Sequence, residues 1–368
     1  MAKLIDITGK AISGEWGNDD DTGTGIPVLR TTNFTNDGII DYNNVVTRDI
    51  QKKDLSQKYL QPGDIIIEKS GGSDKQPVGR VVYYDGEPNK FLFNNFTGVL
   101  RVRDKNTWYP RYVFYALYGN YTKGGTRRYE NKTTGLHNLK TDQYVQDFAI
   151  QEQPLEYQQQ VILKLDKVTK LIALRKEQLA KLDQLVKSRF IELFGDPIRN
   201  TQNRPTTDFI NVVKMQRGFD LPVQDRKQDG DIPVFGSNGA LDRHNVAKVQ
   251  GGGVITGRSG TIGKVYYTEG DYWPLNTSLF SVDTHGNNII YLAYLLQMYD
   301  LSRFTEGTGV PTLNRNKFHD KPIIDVPLNE QEQFAVFVKQ TDKSKLAVQQ
   351  SIDQLETLKK SLMQKYFG

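Results

Sequence analysis

Residues 154–195 read PLEYQQQVILKLDKVTKLIALRKEQLAKLDQLVKSRFIELFG, and their spacing sets the plan of the whole chain. Apolar side chains recur at Leu165, Val168, Ile172, Leu179, Leu182, Val186 and Leu193 in steps built from three and four, with Arg175 and Arg189 filling two slots of the same frame. Such a stripe predicts one long amphipathic helix rather than a strand. Pro154 suits a first helical turn and Gly195 a C-terminal cap, so both limits are marked. About 40 residues at about 1.5 Å each make a rod of about 60 Å. A compact core has no use for that length, so the rod is expected to hold other parts of the molecule apart.

The rod occurs twice. Residues 327–368 read PLNEQEQFAVFVKQTDKSKLAVQQSIDQLETLKKSLMQKYFG and align with the first rod without a gap. Pro154-Leu155 matches Pro327-Leu328, Gln158 and Gln160 match Gln331 and Gln333, Leu182, Leu185, Lys187 and Ser188 match Leu355, Leu358, Lys360 and Ser361, and Phe194-Gly195 matches Phe367-Gly368. A repeat near half the chain length means a duplicated unit. The expected division is a globule at 1–153, a rod at 154–195, a globule at 196–326 and a rod at 327–368.

The globules repeat as well. In the first, Ile26–Leu29, Asp64–Ile67, Gly79–Tyr84 and Thr97–Val102 read as strands between Gly, Pro, Asn and Asp clusters, and Tyr109–Tyr118 reads as a helix. A polar, basic loop is expected at Lys123–Asn138, followed by a short helix and a last strand. In the second, Gly252–Ile255 with the loop Thr256–Gly260 echoes Gly63–Ile66 with the loop Glu68–Gly71. Gly263–Tyr267 echoes Gly79–Tyr84, and Asn276–Val282 echoes Asn95–Val102, allowing for a one-residue offset. Asn288–Gln297 is the second helix, and Gly309–Asn314 stands where Gly135–Lys140 stood.

Bulk properties bound the function. Lysine and arginine exceed aspartate and glutamate by five, and the isoelectric point is near 8.9, which permits a polyanionic partner without demanding one. The absence of cysteine excludes disulfides and thiolate metal sites and fits a reducing, cytoplasmic setting. No signal-peptide core opens the chain and no 18-residue apolar run follows, so no membrane partner is expected and the Asn-x-Thr triplets at Asn33, Asn95 and Asn120 carry no glycosylation message.

Catalytic motifs are missing. Gly257–Lys264 resembles a phosphate loop but has five residues between its outer glycines, and Val265 stands where Ser or Thr should hold magnesium. No Asn-Pro-Pro-aromatic tetrapeptide supplies an amino-methyltransferase site. Pro62-Gly63-Asp64 with Glu68-Lys69 lacks the final lysine of a nuclease carboxylate cluster and reads better as a turn into a buried strand. His137, His244, His285 and His319 are scattered. The expectation is no catalytic residue, no bound cofactor and no metal in this chain.

The loops offer donors instead. In the first globule they carry Arg30, Thr31, Thr32, Asn33, Lys69, Ser70, Ser73, Lys75, Arg127, Arg128 and Lys132; in the second, Ser237, Asn238, Arg258, Ser259, Thr261, Asn276, Thr308, Thr312, Asn314 and Arg315. Glycine-rich backbone approaches phosphate oxygens, Ser, Thr, Lys and Arg donate to them, and Arg, Asn and Gln read base edges. Equivalent loops in both copies give a duplicated surface. Leu171, Leu174 and Leu185 lie beyond one helical seam, where a two-helix pair cannot bury them, so they are expected to meet partner subunits.

GGVITGRSGTIGKVYY (Gly252–Tyr267), LNTSLFSV (Leu275–Val282), GTGVPTLNRNKF (Gly307–Phe318) and the closing Pro-Leu with its long helix resemble the specificity subunit of a type I restriction–modification system. The resemblance covers the whole chain. It implies an α+β fold of two α/β target-recognition domains separated by two long helices, packed as an antiparallel coiled coil in a pseudo-twofold repeat. It further implies that each domain reads one half of a bipartite double-stranded DNA site and that the helices set the spacer. Two methyltransferase subunits would dock on this scaffold and use S-adenosylmethionine, and a restriction subunit consuming ATP with magnesium is the optional further partner. The first domain departs from the family's loop pattern: Glu68–Arg80 is longer than its counterpart, and His137 and Asn138 stand where the second copy has Pro311 and Thr312. A non-catalytic assembly scaffold, whose globules bind protein or glycan, is the alternative.

Overall fold

The computed structural model describes residues 1–52, 54–133, 136–307 and 311–368. They form two compact units, one of Met1–Leu174 with Asp353–Gly368 and one of Arg175–Ile352.

In the first unit Ile12–Ser13, Thr97–Leu100, Ile65–Glu68 and Val81–Tyr83 lie in that order in an antiparallel sheet. The run Ile65-Ile66-Ile67 is apolar without alternation because both sheet faces are covered. Ile65 and Ile67 enter the core beneath the helix Pro110–Thr122, and Ile66 enters a second core with Val82, Val99 and Phe93. A second sheet orders Asn18–Asp19, Val46–Asp49, Ile26–Leu29 and Leu92–Phe93, the last pair parallel. Ala2–Lys3 pairs with Ala149–Ile150.

The second unit repeats the first of these sheets strand for strand and has three strands where the other has four. Lys214–Arg217, Ser278–Asp283, Gly253–Gly257 and Val265–Thr268 take the same order, and Val254 and Ile255 again divide between two cores. Gly239–His244, Ile232–Gly236 and Trp273–Pro274 form the second sheet, its last pair again parallel. Thr206–Asp208 pairs with Pro322–Ile324, and the helix is Ile289–Tyr299, capped by the Asn288 side chain.

Each rod is one helix of 40 residues, Leu155–Phe194 and Leu328–Phe367. Within the first unit Val161, Ile162 and Leu165 share a core with Met363, and Tyr157 meets Tyr366. Within the second, Phe190 and Phe194 stack edge-on against Phe334 at 5.5 and 5.6 Å, and Asp183 pairs with Lys345 at 2.7 Å. Early positions of one helix meet late positions of the other, so the pairing is antiparallel. Leu165, Val168, Ile172 and Val186 are buried as the stripe predicts, but the packed positions then continue to Phe190 and Phe194 in steps of four. A straight helix of 3.6 residues per turn drifts off a seven-residue frame, and here the drift carries the last turns into the globular core.

Gln158 and Gln331, matched in the repeat, are buried and make the same clamp. Gln158 accepts from the Tyr109 amide at 2.9 Å and donates to Thr107 O at 2.9 Å and Gln153 O at 2.8 Å. Gln331 accepts from the Asn288 amide at 2.9 Å and donates to Asn287 Oδ1 at 2.6 Å and Val326 O at 2.7 Å. Each glutamine fastens a long helix to the start of its unit's short helix.

The expected loop Lys123–Asn138 is instead largely a hairpin, Glu130–Thr133 against Leu136–Leu139, with Ser70–Gly72 as its third strand. It carries no apolar alternation because its buried face is held by Glu130 and His137, whose Oε2 and Nδ1 lie 3.0 Å apart.

Candidate nucleic-acid interface

One backbone frame presents the loops in both units. In the first, the Lys69 and Ser70 amides donate to Phe96 O at 2.8 and 3.2 Å, and Lys69 O accepts from the Leu139 amide at 2.8 Å. In the second, the Arg258 and Ser259 amides donate to Thr277 O at 2.9 and 3.2 Å, and Arg258 O accepts from the Leu313 amide at 2.8 Å. Asn138 faces Ser70 across this strand pair, and Thr312 faces Ser259. Thr97 and Ser278 each turn back on the carbonyl three residues earlier, which makes Asn276 the counterpart of Asn95 with no offset. Thr31 and Thr32 correspond to Ser237 and Asn238, because the Leu29 and Phe235 carbonyls accept from the Asn94 and Leu275 amides, respectively.

The side chains on this frame differ. In the first unit Asn33 is 1% exposed and spent on its own turn, accepting from the Arg30 amide and donating to Asp41 O. Arg80 holds the same turn, donating to Thr31 O at 2.9 Å and Phe34 O at 2.8 Å, and pairs with the buried Glu68 at 3.3 Å. Burial pushes the Glu68 carboxyl above its ordinary range, with Arg80 opposing. Burial first and Lys58 second hold the half-buried Lys69 ammonium below the ordinary lysine range. The long insertion is tied down at several points: Val78 N donates to Glu130 Oε1 at 3.0 Å, Arg127 donates to Asp74 O, and His137 Nε2 lies 3.6 Å from Asp74. Ser73 closes the turn to the Gln76 amide, Lys75 is exposed, and exposed Arg128 lies over Tyr129. Lys132 pairs through its backbone with His137; its side chain lies outside the described residues.

The second unit is open at the same place. Arg258, Thr312, Asn314 and Arg315 line a cleft of about 330 Å³ together with Arg217, Glu306 and Asn316. Ser237 and Thr261 pack over Gly257, where an added Cβ would lie 1.7 Å from Thr261 O. Glu68 has Gly257 as its counterpart, so no buried acid can stand there. Asn238 accepts from Lys264, and Asn276 donates to Asp220. Thr308 lies outside the described residues. Repeat matching passes over Arg217, since its counterpart across the sheet is Ser13.

Asp64 and Glu68 do not converge on a catalytic centre. They lie at opposite ends of one strand, with Asp64 held by Arg101 Nε and Nη2, each at 2.7 Å, and Glu68 by Arg80. Among the described residues no group of three His, Asp or Glu side chains is placed for a metal, and no helix is long and apolar enough to cross a membrane.

The model of the type I restriction modification DNA specificity domain matches residues 2–184 and again 199–357. The chain belongs to this family. It is a non-catalytic specificity subunit, and the match does not favour protein- or glycan-binding scaffold modules. Among solved structures, the S subunit of a type I restriction-modification system from M. genitalium shares 13% identity, with 100% of this chain and 95% of that one covered and a TM-score of 0.59. A structure concerned with complex assembly and conformational transition of the type I R-M system shares 15% identity, with 100% and 96% covered and a TM-score of 0.59. At these identities the likeness is one of fold. Comparison with curated protein sequences gave no match.

Proposed function

We propose that residues 1–153 and 196–326 each read one half of a split double-stranded DNA target, and that helical segments 154–195 and 327–368 set the spacer. The observation that carries this is the shared backbone frame, which offers Lys69-Ser70 in one unit and Arg258-Ser259 in the other. Identical presentation with different side chains suits two half-sites of different sequence. The readers are drawn from Arg30, Thr31, Thr32, Lys69, Ser70, Ser73, Lys75, Arg127, Arg128 and Lys132 in the first domain. In the second they come from Ser237, Asn238, Arg258, Ser259, Thr261, Asn276, Thr308, Thr312, Asn314 and Arg315. Asn33 serves its turn.

The chemistry comes from partners: two methyltransferase subunits using S-adenosylmethionine and, where present, a restriction subunit using ATP and magnesium. Leu171, Leu174 and Leu185 are 37, 49 and 48% exposed, and Leu358, the repeat partner of Leu185, is 46% exposed, which supports docking along the helices. Adding one heptad to each long helix tests the ruler. Seven residues add about 10 Å, or about three base pairs. Mapping of methylated sites should show a longer spacer between unchanged half-site bases. An unchanged spacer would refute the ruler.

A further inference from the structure

We infer that the second-unit cleft of Arg217, Arg258 and Arg315 clamps a backbone phosphate of the DNA, giving this domain an anchor that ignores base sequence. The inference rests on the DNA-recognition reading above and adds which chemical group this cleft takes.

The three guanidiniums come from separate segments: the end of strand Lys214–Arg217, the residue after strand Gly253–Gly257, and the turn Arg315–Lys317. Two of the segments are fixed in place. Arg258 is held through its own N–H and C=O to Thr277 and Leu313, and the Asn314 side chain caps the Arg315 turn by accepting from the Asn316 amide at 3.1 Å. Glu306, the acid lining the cleft, is already paired with Lys317 at 2.8 Å. Among the described residues none of the three guanidiniums has an ion pair or a side-chain hydrogen bond. Arginine cannot relieve like-charge crowding by losing a proton, so three in one concavity favour an anion.

The number of forks decides which group of the duplex enters. The major-groove edge of a guanine offers two acceptors, which a single guanidinium satisfies, and no net charge. A phosphate offers a charge and oxygens that accept from several donors at once. In the first unit the same places hold Ser13, Lys69 and Thr141, a single cation, so the clamp belongs to the second unit.

The test uses the complex assembled with its methyltransferase, on a duplex carrying the full target and on one with the second half-site altered. Affinity is measured against salt for the parent, Arg217→Ala, Arg315→Ala and Arg217→Lys. Each alanine variant should weaken both duplexes by the same factor, about tenfold, and lower the slope of log affinity against log salt by about one. Arg217→Lys should keep the slope. A slope unchanged by the alanine variants, or a loss confined to the matched duplex, overturns the clamp. Saturable binding of inorganic phosphate to the free chain, abolished by Arg217→Ala while DNA affinity is unchanged, overturns it in favour of a small anion. A parent complex whose binding to either duplex ignores salt refutes the DNA reading itself, whatever the variants do.

Discussion

The two units share one set of backbone hydrogen bonds and use it oppositely at the loop end. In the first, polar side chains are spent on one another: Arg80 on Glu68 and the Thr31 turn, Glu130 on His137 and Val78, Asn33 on its own loop. In the second, Gly257 replaces Glu68, Lys264 replaces Arg80, and arginines line an open cleft. The duplicated frame therefore lies in main-chain geometry, while the side chains on it and their internal electrostatics have diverged. One unit presents a braced surface and the other an unneutralised one.

The strongest way to break this contrast is to remove its brace. Arg80→Ala would leave Glu68 buried without its counter-charge and free the 30–34 turn. The expected cost to the first unit is about 3–5 kcal/mol. Amide exchange should report it as lost protection in Ile65–Glu68 with Gly253–Gly257 unaffected. Lys264→Ala, at the equivalent position, should cost about 0.5 kcal/mol or less, because Lys264 is exposed and bonds to an exposed Asn238. Equal effects of the two substitutions would show that the brace has no energetic weight.

Gln158→Met and Gln331→Met probe what the units hold in common. Each removes three hydrogen bonds made by a buried glutamine to buried or partly buried partners, at about 1–3 kcal/mol, and each should act within its own unit by the same exchange measurement. The two losses should be alike. A loss in one unit and not the other would mean that the matched glutamines have acquired different roles.

What could be read beforehand follows from this division. The long helices were legible because a 3.6-residue stripe sustained over 40 residues admits no other structure, and the duplication because the matched Gln158 and Gln331 are required by the clamp. Strands such as Ile65–Glu68 announced themselves by continuous apolar residues. The Glu130–Leu139 hairpin did not, since a Glu–His pair fills its inner face and removes the alternation. Phe190 and Phe194 escaped the heptad frame because they serve the domain core. At the interface, Asn33 read the same as any loop asparagine, although burial commits it to the turn. Arg217 was hidden because its place in the other copy is a serine, and charge convergence across three segments exists only after folding.

The smallest expected difference concerns protons. Lys69 and Arg258 occupy the same place, but burial and Lys58 make the Lys69 ammonium easier to deprotonate than an ordinary lysine. Its folded pKa is depressed, so its charge is complete below that value and disappears as pH rises through it, while a guanidinium stays charged throughout. Contact with an anionic backbone should therefore weaken at the first half-site at a lower pH than at the second. With the assembled complex and duplexes retaining one half-site each, the dissociation constant for the first half-site should begin to rise at a lower alkaline pH than that for the second. Using one complex for both duplexes cancels titrations in the partner subunits. Lys69→Arg should remove the excess pH dependence while leaving the frame intact. An equal pH response at both half-sites would mean that Lys69 does not face the duplex, and the first domain's contacts would then fall to arginines such as Arg127 and Arg128.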